Sequence, residues 1–329
     1  MTLSRRRFLQ MTGSGALAGA LGWPALSMAQ NGQGTPIGMQ ASWVNDAEFL
    51  GYIVARHKGF YADQGLSLDY RSGGPDVIPE GALLSNRAEI ALTTVESTLK
   101  AVTQQGAPLV IIGAQYQKNP AGIVSLASNP IEKPEDLVGK VLAVPPVNRL
   151  AVEAMLEANG IPPDDVRIVP YAYDPTPLLK GEIDASLDFV TNVPYTIGLQ
   201  GEKAVSFLLY DHGFPVFNDT VVVTRDTLET RRDDLVAWLR ASRQGWQENF
   251  KDPAYYPPLF ADSFFQGNGR SIENEIFFNQ AQKSLIESPN GIFSMAEADI
   301  ERCLTALERI GIQASRDNFD TSLLEEIAA

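Results

Sequence analysis

Residues 43–74, WVNDAEFLGYIVARHKGFYADQGLSLDYRSGG, constrain the fold more than any other stretch. They read as the end of a strand, a helix, a turn, a second strand and a glycine loop. The short run 37–41 stops where Trp43, Asn45 and Asp46 break its pattern. Phe49, Tyr52, Ile53 and His57 then recur at helical spacing. Gly59 stands just past the last turn, where a helix C-cap favours glycine. After Phe60-Tyr61, Gly65 turns the chain, and Leu66, Leu68 and Tyr70 alternate as a strand does. Ser72-Gly73-Gly74-Pro75 opens the next element with backbone amides able to face a ligand. Polar and aromatic groups thus gather at strand ends, where open α/β sheets hold ligands.

The same alternation runs on to residue 224. Strands are expected over 90–93, 108–113, 123–127, 141–144, 164–169, 205–209 and 220–224, with helices over 79–88, 95–106, 150–159 and 175–180. The run at 108–113 is apolar throughout, as a buried parallel strand should be. At 93–97 the hydroxyls of TTVES more often cap a helix than meet a ligand. The last third is helical, over 231–250, 272–286 and 295–310. Leu235, Trp238, Leu239, Ser242 and Trp246 form one core-facing stripe there. The pattern gives an α/β protein of two blocks, each a mostly parallel sheet with helices on both faces, and a helical tail on the first block.

Composition narrows the chemistry. The chain has 329 residues, enough for two ordinary domains, a net charge of −14, one Cys and two His. No basic stripe exists to neutralise phosphates, so nucleic acid is not an expected partner. Cys303 alone forms no internal disulfide, and there is no cysteine cluster for zinc or iron–sulfur. No G-x-S-x-G and no P-loop occurs. His57 lies near the end of the first helix, where the helix dipole favours a cation, and His212 falls in a loop. No catalytic residue, metal ligand or cofactor is therefore assigned.

Residues 1–29 read as an export segment rather than part of the fold. Ser4-Arg5-Arg6-Arg7-Phe8-Leu9 resembles the twin-arginine signal. The Gly- and Ala-rich core at 13–21 is too short to span a bilayer, and Ser27-Met28-Ala29 offers small residues for cleavage. Loss of Arg5, Arg6 and Arg7 with this segment takes the mature chain from −14 to −17.

Trp43-x-Asn45, Glu48-Phe49-x-Gly51-Tyr52, Ala55-x3-Gly59-Phe60-Tyr61 and Gly65-Leu66 resemble the N-terminal signature of ABC-transporter solute-binding proteins. The group most similar is the thiamine pyrimidine synthase-like one, with its carriers of pyrimidine precursors and of riboflavin. Pro134-Glu135-Asp136-Leu137-x-Gly139-Lys140 and Gly181-Glu182-Ile183-Asp184-Ala185 resemble two further elements of the superfamily. The resemblance implies a two-lobed periplasmic-binding-protein fold of type II. Residues 30–122 and 219–329 would form lobe 1 and 123–218 lobe 2, with hinge crossings near Gly122 and Phe217. It also implies a monomeric periplasmic protein that hands a small-molecule ligand to an ABC permease.

Within that arrangement the expected ligand groups are Trp43, Asn45, Glu48, Phe49 and Tyr52 from the opening stretch. Gly73, Gly74 and Asp76 follow at the next junction, then Thr94, Glu96 and Tyr116, and from the second block Asn148, Asp188, Asn192 and Tyr195. Flat rings stack on an aromatic heterocycle, while Asn and carboxyl groups pair with its N–H and amino groups. The expected ligand is a small aromatic nitrogen heterocycle such as a thiamine pyrimidine precursor, with riboflavin next. Sulfonate or nitrate would want cations, and only Arg71 and Arg149 stand near, each more simply a surface ion pair. The alternative of another class is a pyrimidine synthase-like enzyme of thiamine biosynthesis. The synthases resembled consume a histidine and carry a cysteine-rich iron site; this chain has Phe49 where that histidine falls.

Overall fold

The computed structural model describes residues 34–328, so the expected export segment lies outside the described residues. Among the described residues ten strands form two sheets of five. The first holds β1 (Thr35–Gln40), β2 (Leu66–Arg71), β3 (Ile90–Thr93), β4 (Leu109–Tyr116) and, much later in the chain, β10 (Asn218–Thr224). The second holds β5 (Ala121–Leu126), β6 (Val141–Val144), β7 (Arg167–Pro170), β8 (Ala185–Phe189) and β9 (Ala204–Leu208). Their spatial orders are β2-β1-β3-β10-β4 and β7-β6-β8-β5-β9.

In each sheet four strands run one way and one runs against them. β10 is antiparallel to both β3 and β4, and β5 to both β8 and β9. The reason is the route of the chain. Residues 117–120 lead from β4 into β5, and residues 209–217 lead from β9 into β10. A strand that enters its sheet from the edge where the others end must run away from that edge. These two connections touch each other, the Asn119 N–H donating to the Val216 carbonyl at 3.2 Å.

Local signals explain the elements. The helix Leu50–Lys58 ends at Gly59, whose φ of +81° lets its N–H reach the Ala55 and Arg56 carbonyls. Thr94 caps the helix Val95–Gln105, its Oγ1 accepting from the Ser97 N–H at 3.2 Å. Ser271 caps Ile272–Ile286 in the same way. The helix expected over 79–88 is shorter, Pro79–Leu84, because Ser85 and a left-handed Asn86 (φ +54°) turn the chain early. Trp238 and Trp246 are fully buried, as the stripe requires. Their helix, Arg232–Asn249, packs on Leu50–Lys58 so closely that a Cβ at Gly51 would lie 2.1 Å from the Trp246 ring. Tyr52 stacks on Trp238 with ring centroids 5.5 Å apart. The helical tail thereby fixes the first helix, which carries the chain away from the junction at Trp43.

Candidate functional site

The strand ends of the two sheets enclose a cavity of about 660 Å³. Ser42 and Trp43 reach it from the end of β1, Gly74 from beyond β2, and Thr94 and Glu96 from beyond β3. Asn218 and Asp219, the first residues of the reversed strand β10, complete that side. The second sheet supplies Asn148 after β6, Tyr173 after β7, and Asp188 and Asn192 at the end of β8 and beyond. Trp43 and Tyr173 face each other across the gap, ring centroids 6.4 Å apart and tilted by 58°. Such a volume suits a small-molecule ligand.

Carboxyl groups dominate the floor. Asp46 caps the short turn Ala47–Phe49, its Oδ1 accepting from the Glu48 N–H at 3.0 Å, while Oδ2 pairs with Arg270. Glu275 accepts from the Ala47 N–H at 2.7 Å and from Asn268 Nδ2 at 2.8 Å, and lies 3.9 Å from the same guanidinium. Arg270 is thus engaged by two acids. Glu48 and Asp219 are neighbours, close enough for the charge of each to bear on the other. Asp219 accepts from Ser42 Oγ at 3.0 Å and Gln115 Nε2 at 3.2 Å. Burial, then the neighbouring charges of Asp219 and Asp46, pushes Glu48 well above the usual carboxyl range. Burial likewise raises Asp219 to about 6 and Glu275 to about 7. Across the cleft Asp188 takes the Ser186 hydroxyl at 2.5 Å, and burial lifts it to about 6 against the pull of the Ser186 and Tyr171 hydroxyls.

Backbone strain collects here. Asp219 and Tyr173 adopt φ of +44° and +59°, a region that costs a residue with a side chain on the order of 1–3 kcal/mol. Both are cleft residues, so the surrounding packing holds two side chains in place against local preference.

Of the residues expected from sequence, Trp43, Glu48, Gly74, Thr94, Glu96, Asn148, Asp188 and Asn192 line this cavity. Phe49, Tyr52 and Tyr116 do not; each is fully buried in the core. Helical spacing points those rings inward against the tail, which the local pattern could not reveal. Gly73 serves packing instead: a Cβ there would lie 2.4 Å from the Ala41 carbonyl oxygen, and its N–H donates to the Trp43 carbonyl at 2.8 Å. Asp76 is exposed on the outer loop. Asn45 lends its carbonyl to Asn268 at 3.0 Å, and Tyr195 packs on Phe277 at 5.5 Å. Arg71 and Arg149 pair with Asp69 and Glu153, as surface arginines do.

Sequence reasoning missed Asp219, Tyr173, Asp46, Arg270 and Lys100, all of which line the cleft. Two signals were available. Asn218-Asp219 places two polar residues at the head of the apolar run VVV, and Tyr173 follows the carboxyl end of β7, the position already used to choose Trp43. Arg270 comes from the far end of the chain, 224 residues from its partner Asp46, and only the tertiary fold joins them.

Known proteins share this architecture. The periplasmic aliphatic sulphonate binding protein SsuA from Escherichia coli superposes with a TM-score of 0.64 at 13% identity, over 83% of this chain and 91% of that one. The desulfurization enzyme DSZB superposes with a TM-score of 0.61 at 14% identity, over 89% and 99%. The fold is therefore that of the type II periplasmic binding proteins, and at such identities the likeness speaks for the fold alone. In sequence, the riboflavin-binding protein RibY of Chloroflexus aurantiacus is 24% identical over 238 residues, 70% of this chain and 67% of that one. A Haemophilus influenzae protein named for thiamine biosynthesis is 22% identical over 191 residues, 57% of this chain and 60% of its own length. The family described as NMT1/THI5 like matches residues 46–255, and the chain belongs to it.

Proposed function

We propose that this chain is the solute-binding component of an ABC importer, exported by the twin-arginine route and working in the periplasm as a monomer. Residues 30–122 with 219–329 act as one lobe and 123–218 as the other, joined at the two touching connections. The ligand is a planar nitrogen heterocycle, with a thiamine pyrimidine precursor as the first choice. The observation that carries this reading is the pair Trp43 and Tyr173, facing each other over a floor of hydrogen-bonding carboxyl groups. Aromatic faces take a flat ring, and carboxyl groups take its N–H and amino edges.

Riboflavin is the second reading, and the cavity favours it: about 660 Å³ is ample for a fused ring with a side chain. The name of the Chloroflexus relative supports the same class. A sulfonate is a poorer fit because Arg270 is already paired with Asp46 and Glu275, which leaves Lys100 as the other lining cation beside an acid-rich floor. The synthase alternative would need an accessible group at Phe49, which is fully buried. Among the described residues no helix is long and apolar enough to cross a membrane, so the permease would be a separate partner.

The test is native mass spectrometry of the protein recovered from its own cells, followed by titration. The panel is 4-amino-5-hydroxymethyl-2-methylpyrimidine, riboflavin and an alkanesulfonate. Reversible binding of one heterocycle, released unchanged, is expected. Preference for the sulfonate, or turnover of the heterocycle, would overturn the proposal.

A further inference from the structure

We propose that Glu48 serves the cleft as a neutral carboxylic acid at neutral pH, its O–H donating to the Asp219 carboxylate and its carbonyl oxygen facing the ligand. Asp46 has the Glu48 N–H and Arg270; Glu275 has the Ala47 N–H and Asn268; Asp219 has Ser42 and Gln115. Among the described residues no N–H and no hydroxyl donates to the Glu48 carboxyl, although Glu48 is only 4% exposed. A buried carboxylate with no donor is expensive, and a proton shared with its neighbour removes the cost.

The geometry also says which partner keeps the proton. Asp219 already accepts two hydrogen bonds and is built to be the anion. Glu48 accepts none from the protein and is left to donate. Its surroundings agree: it faces the negative charges of Asp219 and Asp46, the buried hydroxyls of Tyr70 and Tyr116, and an Arg270 committed to Asp46, while Tyr52 faces Asp219. A second feature points to a ligand at this spot. Asn218, 3% exposed and lining the same cavity, has no protein partner for its carboxamide among the described residues. Floor and wall together offer a carbonyl acceptor beside an amide, a match for a ring edge bearing an N–H or amino donor next to an acceptor.

The ligand half of this inference rests on the carrier reading; the proton on Glu48 does not, and the test separates them. Infrared difference spectra of the mature protein at neutral pH compare wild type with E48Q. The wild type should show the carbonyl stretch of a protonated carboxylic acid that E48Q lacks. In the heterocycle titrations E48A should weaken binding by about tenfold or more, and E48Q should restore most of it, because an amide mimics the neutral acid but not the anion. Wild-type affinity should fall as pH rises through the Glu48 titration, and that fall should be absent in E48Q. A missing acid band, or an E48Q protein that unfolds or binds no better than E48A, would overturn the proposal. A clear band with no heterocycle bound would leave the neutral acid standing and remove the ligand reading.

Discussion

The substitution Trp43→Ala separates a stacking wall from a piece of core. The Trp43 ring is half-buried, packed against the edge of the hydrophobic core and 6.4 Å from Tyr173. A ring that stacks on a heterocycle loses roughly 1–3 kcal/mol of binding when removed, so Kd should rise about 5- to 150-fold. Because much of the side chain faces the cavity, the unliganded protein should lose only about 1–2 kcal/mol of stability, below the range for a fully buried ring. Trp246→Ala is the control: that ring is fully buried against Gly51, and its loss should cost about 3–5 kcal/mol. Calorimetric titration and melting curves would be run on both variants, on Tyr173→Ala and on the Trp43/Tyr173 double mutant. Trp43 and Tyr173 come from opposite sheets with rings 6.4 Å apart, so the double mutant should show a coupling in binding that exceeds their coupling in unliganded stability. If Trp43→Ala melts as low as Trp246→Ala yet binds with unchanged Kd once folded, the stacking role is wrong.

Gly73→Ala should destabilise the fold by about 1–3 kcal/mol through overpacking, since the new Cβ meets the Ala41 and Ser42 backbone at 2.4 Å; an unchanged melting temperature would refute the close approach. Asp188 is raised from 3.8 to about 6, so the folded state holds its proton longer than the unfolded one. Its contribution is complete below pH 4 and lost as pH rises through 6, about 3 kcal/mol in all. Asp188→Asn should remove that slope, which denaturant unfolding between pH 4 and 7 would read out. Changing Arg5 and Arg6 to Lys should leave precursor in the cytoplasm, and normal export of that double mutant would remove the twin-arginine proposal.

The framework was legible because its signals are local. The 3.6 spacing of residues 272–286 predicts the helix Ile272–Ile286 to the residue, and the stripe holding Trp238 and Trp246 correctly names a core face. Strand ends were legible as a ligand edge, which is why Trp43, Glu48, Asn148 and Asp188 reach the cavity. The expected ligand groups that lie in the core instead share one cause. At a strand–helix junction, adjacent residues meet opposite fates: Glu48 looks into the cleft while Phe49, and Tyr52 three residues on, turn under the tail. Which way each points is set by Trp246 and Gly245, nearly 200 residues on, so the local pattern could not assign them. Asp219 was missed for the related reason that β10 reads as an ordinary strand, and only its reversed entry puts its first residues at the cleft.

That reversed entry also bears on what the cleft can bind. The strands that run toward the cleft end there with loops and helix starts, whose free N–H groups attract anions. A strand entering from the cleft brings side chains of its own to the same edge, and here they are Asn218 and an Asp219 held at positive φ. Asp219 leans on Glu48, Asp46 occupies Arg270, and Glu275 stands behind both. The positive potential expected of strand ends and helix starts, and of Lys100, is thus opposed by Asp46, Asp219 and Glu275 from three separate parts of the chain. Fold alone would leave an anion site open; on the proposed reading Asp46, Asp219 and Glu275 disfavour an anion, and a neutral Glu48 offers hydrogen bonds to an uncharged or cationic ring instead. Restoring the positive field should therefore take more than one substitution, because removing Asp46 still leaves Glu275 beside the guanidinium.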